Sequence, residues 1–354
     1  MAVAAPGASG VPAHRHRCDR PHLELLPGTR RAHLAHVSNE TITSVPGLQV
    51  GHAQDDAART GCTVLLGPFR GAAHVVGFAT GTRELDLFQP EALAPEADAL
   101  LLTGGSAFGL GAANGVVAWL EEQGRGFDVG FARVPLVPAA VIFDLGEGSA
   151  KVRPDPAMAR RACEAASADP VRQGRVGAGT GATVGKLLGP AATSSGGIGS
   201  AATRAGAHTV GALAVVNAFG DVLDVDNRIL AGARDEASNF VDTARRLREA
   251  ADLTAPDKAA ARSEFRATQG TNTTLAVVAT DAPLSRVQLH SLARMAANAL
   301  ARRISPVFTP FDGDIVFALS TAPLIRELAA PELLGLGVLA QEALERAIIN
   351  AVAP

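Results

Sequence analysis

QGTNTTLAVVATDAPL, residues 269–284, joins a cluster of small polar residues to an unbroken apolar run. Gly270, Thr271, Asn272, Thr273 and Thr274 are turn formers. The run that follows has the length and β-branched content of a buried strand. A hydroxyl therefore stands at the mouth of a strand. If the chain is cut before Thr273, that residue becomes an N-terminal threonine, with its hydroxyl as nucleophile and its own α-amine as base. A free α-amine has a pKa of about 7.7–8.0, well placed for general-base work near neutral pH. In the uncut chain the same hydroxyl can attack the Asn272 carbonyl in an N→O shift, leaving an ester for water to open. A plain hydroxyl-rich turn before a strand fits the same letters without any chemistry.

Outward from this junction, the chain reads as alternating strands and helices. TITSVPGLQVGHA (41–53) reads as a strand, a Pro-Gly turn and a second strand. GCTVLLG (61–67) and AAHVVGFATG (72–81) are short apolar runs bounded by glycine, and VPAAVIFDLG (137–146) and HTVGALAVVNAFG (208–220) are further buried strands. Residues 155–168, 232–252, 285–303 and 331–350 read as helices. After Gly104-Gly105, Ser106 is placed to cap a helix carrying Phe108, Leu110, Ala113, Val116, Val117 and Leu120. FDGDIVFALST (311–321) gives a turn and a strand. Short buried strands covered by apolar helices predict a layered α+β domain over 41–354, preceded by a mobile leader, 1–40.

The 354 residues are 47% hydrophobic and carry a net charge of −3, which excludes a disordered chain and gives no case for nucleic-acid or anionic-membrane partners. No run is long enough to cross a membrane as a helix, and the N-terminus lacks the apolar segment of a signal peptide. Cys18, Cys62 and Cys163 are too scattered for a disulfide framework or a zinc site, which suits a reducing, cytoplasmic setting. Five histidines (14, 16, 22, 33, 36) crowd the leader, while His52, His74, His208 and His290 stand apart, so no metal is expected. Tyrosine is absent altogether, which removes the phenolic donor from every mechanism.

Two motifs invite other functions. GRVGAGTGATVGKLLG (174–189) formally meets the dinucleotide fingerprint at Gly177, Gly179 and Ala182, but no acid follows to bind a ribose. As a Walker A loop it fails at Thr180 and Leu187. Closely packed backbone accounts better for its glycines. Lys186 is then an unusual cation in an acid-free stretch, whether a surface side chain or a functional one. GGSAFG approaches a nucleophile elbow, but Phe108 replaces the second glycine and no base is evident beside Ser106.

The ordered segments SVPGLQVGHA, TGCTVLLGP, LLTGGSAFGL, VPAAVIFDLG, GRVGAGTGATVGKLLG, ALAVVNAFGDV, NTTLAVVATDAPL and FDGDIVFALST resemble the L-aminopeptidase D-esterase family. That family also holds the β-peptidyl aminopeptidases and the endo-type 6-aminohexanoate-oligomer hydrolases. The resemblance implies an αββα sandwich of the N-terminal-nucleophile hydrolase type, self-cleaved into 1–272 and 273–354 and assembled as a homotetramer, with no cofactor. It implies Thr273 as nucleophile after Asn272, Lys186 beside it, Asn217 at the oxyanion, and Asp312 and Asp314 in the turn facing the nucleophile. Without the resemblance, Asp312-Gly313-Asp314 reads as a hairpin turn and Asn217 as an Asx turn. Ser106 and Phe143 would line the substrate pocket. Many relatives have a tyrosine where Phe143 stands, so one hydroxyl donor is missing and the pocket is more apolar. Threonine at 273 and the Asp-Gly-Asp turn look closer to the oligomer hydrolases than to serine-type aminopeptidases. Substrates would be short peptides, amino-acid amides or linear 6-aminohexanoate oligomers. An ornithine-acetyltransferase-like acyl transfer on the same threonine is the alternative, and a nucleotide-binding module a more distant one.

Overall fold

The structure, a computed structural model, describes residues 39–251, 272–324 and 326–353. Residues 1–38 of the expected leader, and residues 269–271, lie outside these. Eight of the nine strands described in the main sheet position the site: β1 (Gln49–Asp55), β2 (Thr60–Val75), β3 (Ala97–Thr103), β4 (Ala139–Val141), β5 (Gly197–Ala205), β6 (His208–Asn217), β7 (Thr273–Thr280) and β8 (Ile315–Ser320). The helices that matter here are α1 (Ala113–Glu122), α2 (Pro156–Glu164), α3 (Thr243–Ala250), α4 (Arg286–Ala296), α5 (Asn298–Arg303) and α6 (Ala330–Val352).

The long strand β2 belongs to both halves of the sheet. Its first part pairs with β1 and β3, its register shifts between Leu66 and Phe69, and its second part pairs antiparallel with β8. Beyond β8 the order runs β7, β6, β5, with β7 and β8 parallel.

Three apolar cores follow from the two-residue period of these strands. Leu65, Leu100 and Ile142 meet Leu213, Leu275, Val277, Ile315 and Phe317 between the sheet halves. Their neighbours Ala276, Val278, Val316 and Ala318 face outward onto Leu289, Leu292, Leu344 and Ile348 of α4 and α6. On the other side, Val64, Leu66 and Leu101 pack on Val116, Leu120, Met158 and Ala162 of α1 and α2. Helix, sheet, sheet, helix is the αββα order expected from the resemblance.

Glycine sets how closely helices approach. A Cβ on Gly199 would lie 1.9 Å from the Ala347 carbonyl oxygen of α6. Gly199→Ala must push the helix off the sheet, and a loss of about 2–3 kcal/mol is expected in urea unfolding, at the severe end for an overpacked core.

Several local expectations are corrected. Residues 42–44 form a 3-10 turn instead of a strand, because Thr41 and Thr43 bond Asn39 and the Asp169 carbonyl instead of a neighbouring strand. Of the described part of 232–252, residues 232–251, only α3 is α-helical. The Asp221 carboxylate draws Ala233 N–H and Thr243 N–H to itself and holds the preceding segment as loop. Ser106 does not cap a helix. It follows left-handed Gly105, has φ +53° itself, and opens a 3-10 turn without a side-chain cap bond. Phe108 is exposed beneath Arg153, 3.8 Å from ring centre to guanidinium carbon. Among the described residues no helix is long and apolar enough to cross a membrane.

Candidate active site

The ends of β6, β7 and β8 converge on one buried polar pocket. Asn217, last in β6, stands opposite Thr273, first in β7. Asn272 continues the parallel β7–β8 register as a single bridge to Asp312. The Asp312-Gly313-Asp314 turn is fixed from behind, where the Asp312 carbonyl accepts Phe78 and Ala79 N–H and the Asp314 carbonyl accepts Val76 and Gly77 N–H. It is therefore not a hairpin turn but the lead-in to a parallel strand.

Thr273 is 4% exposed, and its Oγ donates to the Asn272 carbonyl oxygen at 2.5 Å. Gly313 N–H donates to that same oxygen at 2.9 Å. Asp314 Oδ1 accepts Thr274 N–H at 2.6 Å, and Asp312 Oδ2 accepts Thr309 N–H at 2.7 Å. Asp312 Oδ1 and Asp314 Oδ2 are buried without a hydrogen-bond partner of ordinary length among the described residues.

Lys186 is turned inward by Gly185, whose φ is +74° and whose Cβ would lie 1.9 Å from Ala233 N. Main-chain bonds to Gly220 and Phe219 carbonyls hold the turn. Lys186 is thus buried, and its Nζ donates to Asn217 Oδ1 at 2.7 Å. Asn217 Oδ1 also accepts Thr183 N–H at 3.1 Å, while its Nδ2 donates to the Phe143 carbonyl at 3.1 Å. Asn217 thereby connects Lys186 to the segment carrying Phe143. Phe143 is half-buried, and Ser106 N–H donates to the adjoining Ile142 carbonyl at 3.0 Å. The Gly-rich segment is close-packed backbone: a Cβ on Gly179 would meet Gly197 at 2.6 Å, and one on Gly181 would meet the Arg59 carbonyl at 2.1 Å.

Burial decides the charges. It pushes the Lys186 ammonium down to about 7, against the opposing pull of Glu147, Asp312 and Asp144. It pushes Asp314 up to about 7, helped by the Asp312 charge, and raises Asp312 as well. Near neutrality the pocket therefore holds an amine and a carboxyl that both exchange protons readily.

Asp144 and Glu147 were not among the residues singled out from the sequence, yet both act electrostatically on Lys186. Asp144 accepts Thr60 Oγ and Gly105 N–H, each at 2.7 Å, and Glu147 accepts Thr183 Oγ at 3.3 Å. Their only signal was position, just after the VPAAVIF run. Among the described residues no group of three or more His, Cys, Asp or Glu is arranged to hold a metal.

The raised Asp314 pKa carries a stability prediction. Unfolded, the carboxyl titrates near 3.8; folded, near 7. The folded state thus binds more protons between those values, so this group's contribution is fully present below about 3.8 and lost as pH rises through 7. Asp314→Asn keeps the acceptor for Thr274 and removes the buried charge. Its melting temperature relative to the parent is expected to climb between pH 5 and pH 8, reaching a gain on the order of 5 °C. A flat difference across that range would contradict the raised pKa.

The sequence pattern of Peptidase family S58 matches residues 40–354. The chain belongs to this family. An uncharacterized aminopeptidase of Mycobacterium bovis is 40% identical over 334 aligned positions, covering 88% of this chain and 93% of the relative. A 6-aminohexanoate-oligomer endohydrolase of a Kocuria species is 34% identical over 278 positions, 78% of this chain and 73% of that protein. Among solved structures, a Burkholderia β-aminopeptidase superposes with a TM-score of 0.65 at 24% identity, over 90% of this chain and 87% of its own. The L-aminopeptidase D-Ala-esterase/amidase of Ochrobactrum anthropi, described as a variant of the Ntn hydrolase fold, gives 0.63 at 20% identity, over 90% and 88%. This S58 chain is accordingly a hydrolase of amide bonds on an Ntn hydrolase fold. The relatives give the acyltransferase alternative no support.

Proposed function

We propose that this family S58 hydrolase is self-processing, cuts itself between Asn272 and Thr273, and then hydrolyses small amides with Thr273 as its N-terminal nucleophile. The observation that carries this reading is the Thr273 hydroxyl, held 2.5 Å from the oxygen of its own preceding carbonyl. In the first step Thr273 Oγ adds to the Asn272 carbonyl carbon. A C–O bond forms, the carbonyl becomes an oxyanion, and the hydroxyl proton passes by way of neutral Lys186 to the Thr273 nitrogen. The C–N bond then breaks to give an ester and a free amine. Water opens the ester, leaving an Asn272 carboxylate and an intact Thr273 hydroxyl.

In turnover the new α-amine is the base, and the same hydroxyl forms an acyl-enzyme from substrate. Lys186 lowers the amine's proton affinity and orients the hydroxyl, while Asp312 and Asp314 offset the positive charge and receive the α-ammonium or a substrate amine. Asn217 is the framework that holds Lys186 and faces the oxyanion. Phe143 and Ser106 line the substrate side, where the lack of a phenolic hydroxyl favours an apolar group.

Substrates in this proposal are short peptides, amino-acid amides or linear 6-aminohexanoate oligomers, the last because the Kocuria relative is named for them. Assembly as a homotetramer of two-piece protomers in the cytoplasm completes the proposal. Intact-mass spectrometry under denaturing conditions is the test: two pieces, 1–272 and 273–354, the smaller starting Thr-Thr-Leu-Ala-Val, are expected. One uncut, active chain would overturn the mechanism. Hydrolysis of amino-acid p-nitroanilides beside 6-aminohexanoate oligomers then separates terminal from internal cleavage.

A further inference from the structure

We infer that the main-chain N–H of Gly313 is the oxyanion donor for self-cleavage, so that an ordinary β-ladder bond activates the scissile amide. The inference rests on the self-processing reading above and adds the group that stabilises its first intermediate.

The geometry comes from strand register. Leu275 pairs with Ile315 in the parallel β7–β8 ladder, and the same offset pairs Asn272 with Asp312. At that position Gly313 N–H donates to the Asn272 carbonyl oxygen at 2.9 Å. Between the two pairs the ladder is modified by a side chain, since Thr274 N–H goes to Asp314 Oδ1 at 2.6 Å. The scissile carbonyl therefore keeps a ladder donor while the peptide next to it is turned to a carboxylate. Charge that develops on the carbonyl oxygen as Thr273 Oγ adds to the carbon falls on an N–H already in place.

Asn217, the side chain expected at the oxyanion, has its Oδ1 and one of its two Nδ2 hydrogens committed to other partners. Asn217 Oδ1 accepts Lys186 and Thr183, and its Nδ2 donates to the Phe143 carbonyl. Phe143 carries no hydroxyl, and the chain has no tyrosine. Position 313 also has no room for a side chain. A Cβ there would lie 2.7 Å from Thr273 Oγ and 2.6 Å from the Ala79 carbonyl oxygen, so it would enter the space of the nucleophile. Glycine is required at this point by the close approach of the Ala79 backbone and the Thr273 hydroxyl, since its φ is not in the left-handed region.

The test replaces the Gly313 N–H by an ester oxygen, incorporating glycolic acid at 313 by nonsense suppression. Cutting is followed by intact mass beside the parent and Thr273→Ala. Removing one oxyanion donor is expected to slow cutting roughly 10²–10³-fold. The thermal melt checks that the variant is folded. A folded ester variant that cuts at the parent rate overturns the inference, provided Thr273→Ala stays uncut. If Thr273→Ala itself cuts, the self-processing reading fails instead. Should the ester variant not fold, hydrogen exchange of the Gly313 amide in uncut Thr273→Ala decides. Protection supports the donor, and exchange at the rate of an open amide overturns it. Gly313→Ala, which keeps the N–H but crowds Thr273 Oγ, is expected to slow cutting as well.

Discussion

Thr273→Ala is expected to yield one uncut chain with hydrolytic activity reduced at least about 10⁴-fold, the scale on which removal of a nucleophile acts. The argument is local. In the proposed scheme the Thr273 hydroxyl attacks its own carbonyl and later the substrate, so trimming the side chain back to Cβ removes both reactions. The surrounding bonds to Gly313, Asp314 and Asn217 involve other atoms, so the fold is expected to survive. Thr273→Ser restores the hydroxyl without the methyl group that fixes its rotamer, and should cut and hydrolyse within about tenfold of the parent. Intact mass and p-nitroanilide hydrolysis read both variants. A Thr273→Ala chain that arrives already cut places the nucleophile elsewhere.

Lys186→Met should cost about 10²–10⁴-fold in cutting and hydrolysis, the usual worth of a positioned proton carrier. The fold should not suffer. Burial holds the Lys186 pKa near 7 against 10.5 when exposed, so the unfolded chain binds more protons between those values. This depressed base therefore opposes folding most at and below pH 7, and the opposition fades as pH rises toward 10.5. A methionine there should keep or raise the melting temperature at pH 6 while activity collapses. That combination separates a working lysine from a merely structural one. Lys186→Arg keeps a cation that does not deprotonate. The parent's cutting rate should rise through about pH 7, and the arginine variant should lack that rise. Parent-like rates in Lys186→Met would remove the lysine from the mechanism.

Much of this was visible in the letters. The runs at 208–217, 273–280 and 315–320 read as buried strands and are strands. What the letters hid was their two-sidedness. Val277 and Val278 look alike in sequence, yet one faces the inter-sheet core and the other faces α4 and α6, because both surfaces of the strand are apolar. Segments held by side chains carry no such signal, since no periodicity announces that the Asp221 carboxylate holds residues 233–242 as loop. Lys186 could be read either way until Gly185 was seen to turn it inward. Asp144 and Glu147 lie some forty residues before it, and only the fold brings them within electrostatic reach.

The strand order has a consequence for what the cut would do to the whole molecule. β7 lies between β6 and β8, and β8 lies against β2. The piece beginning at Thr273 therefore supplies two interior strands of the sheet, hydrogen-bonded on both flanks to the other piece. Severing the peptide leaves every one of those ladders in place, so the fragments stay together in the native state. The change appears on unfolding. Compared as single protomers, an uncut chain refolds alone, and that step is independent of concentration. A severed one must find its other half, so its midpoint rises with protein concentration by mass action. Self-cleavage would thus turn a folding problem of one molecule into an association of two, leaving a native protein that is easy to keep and hard to remake.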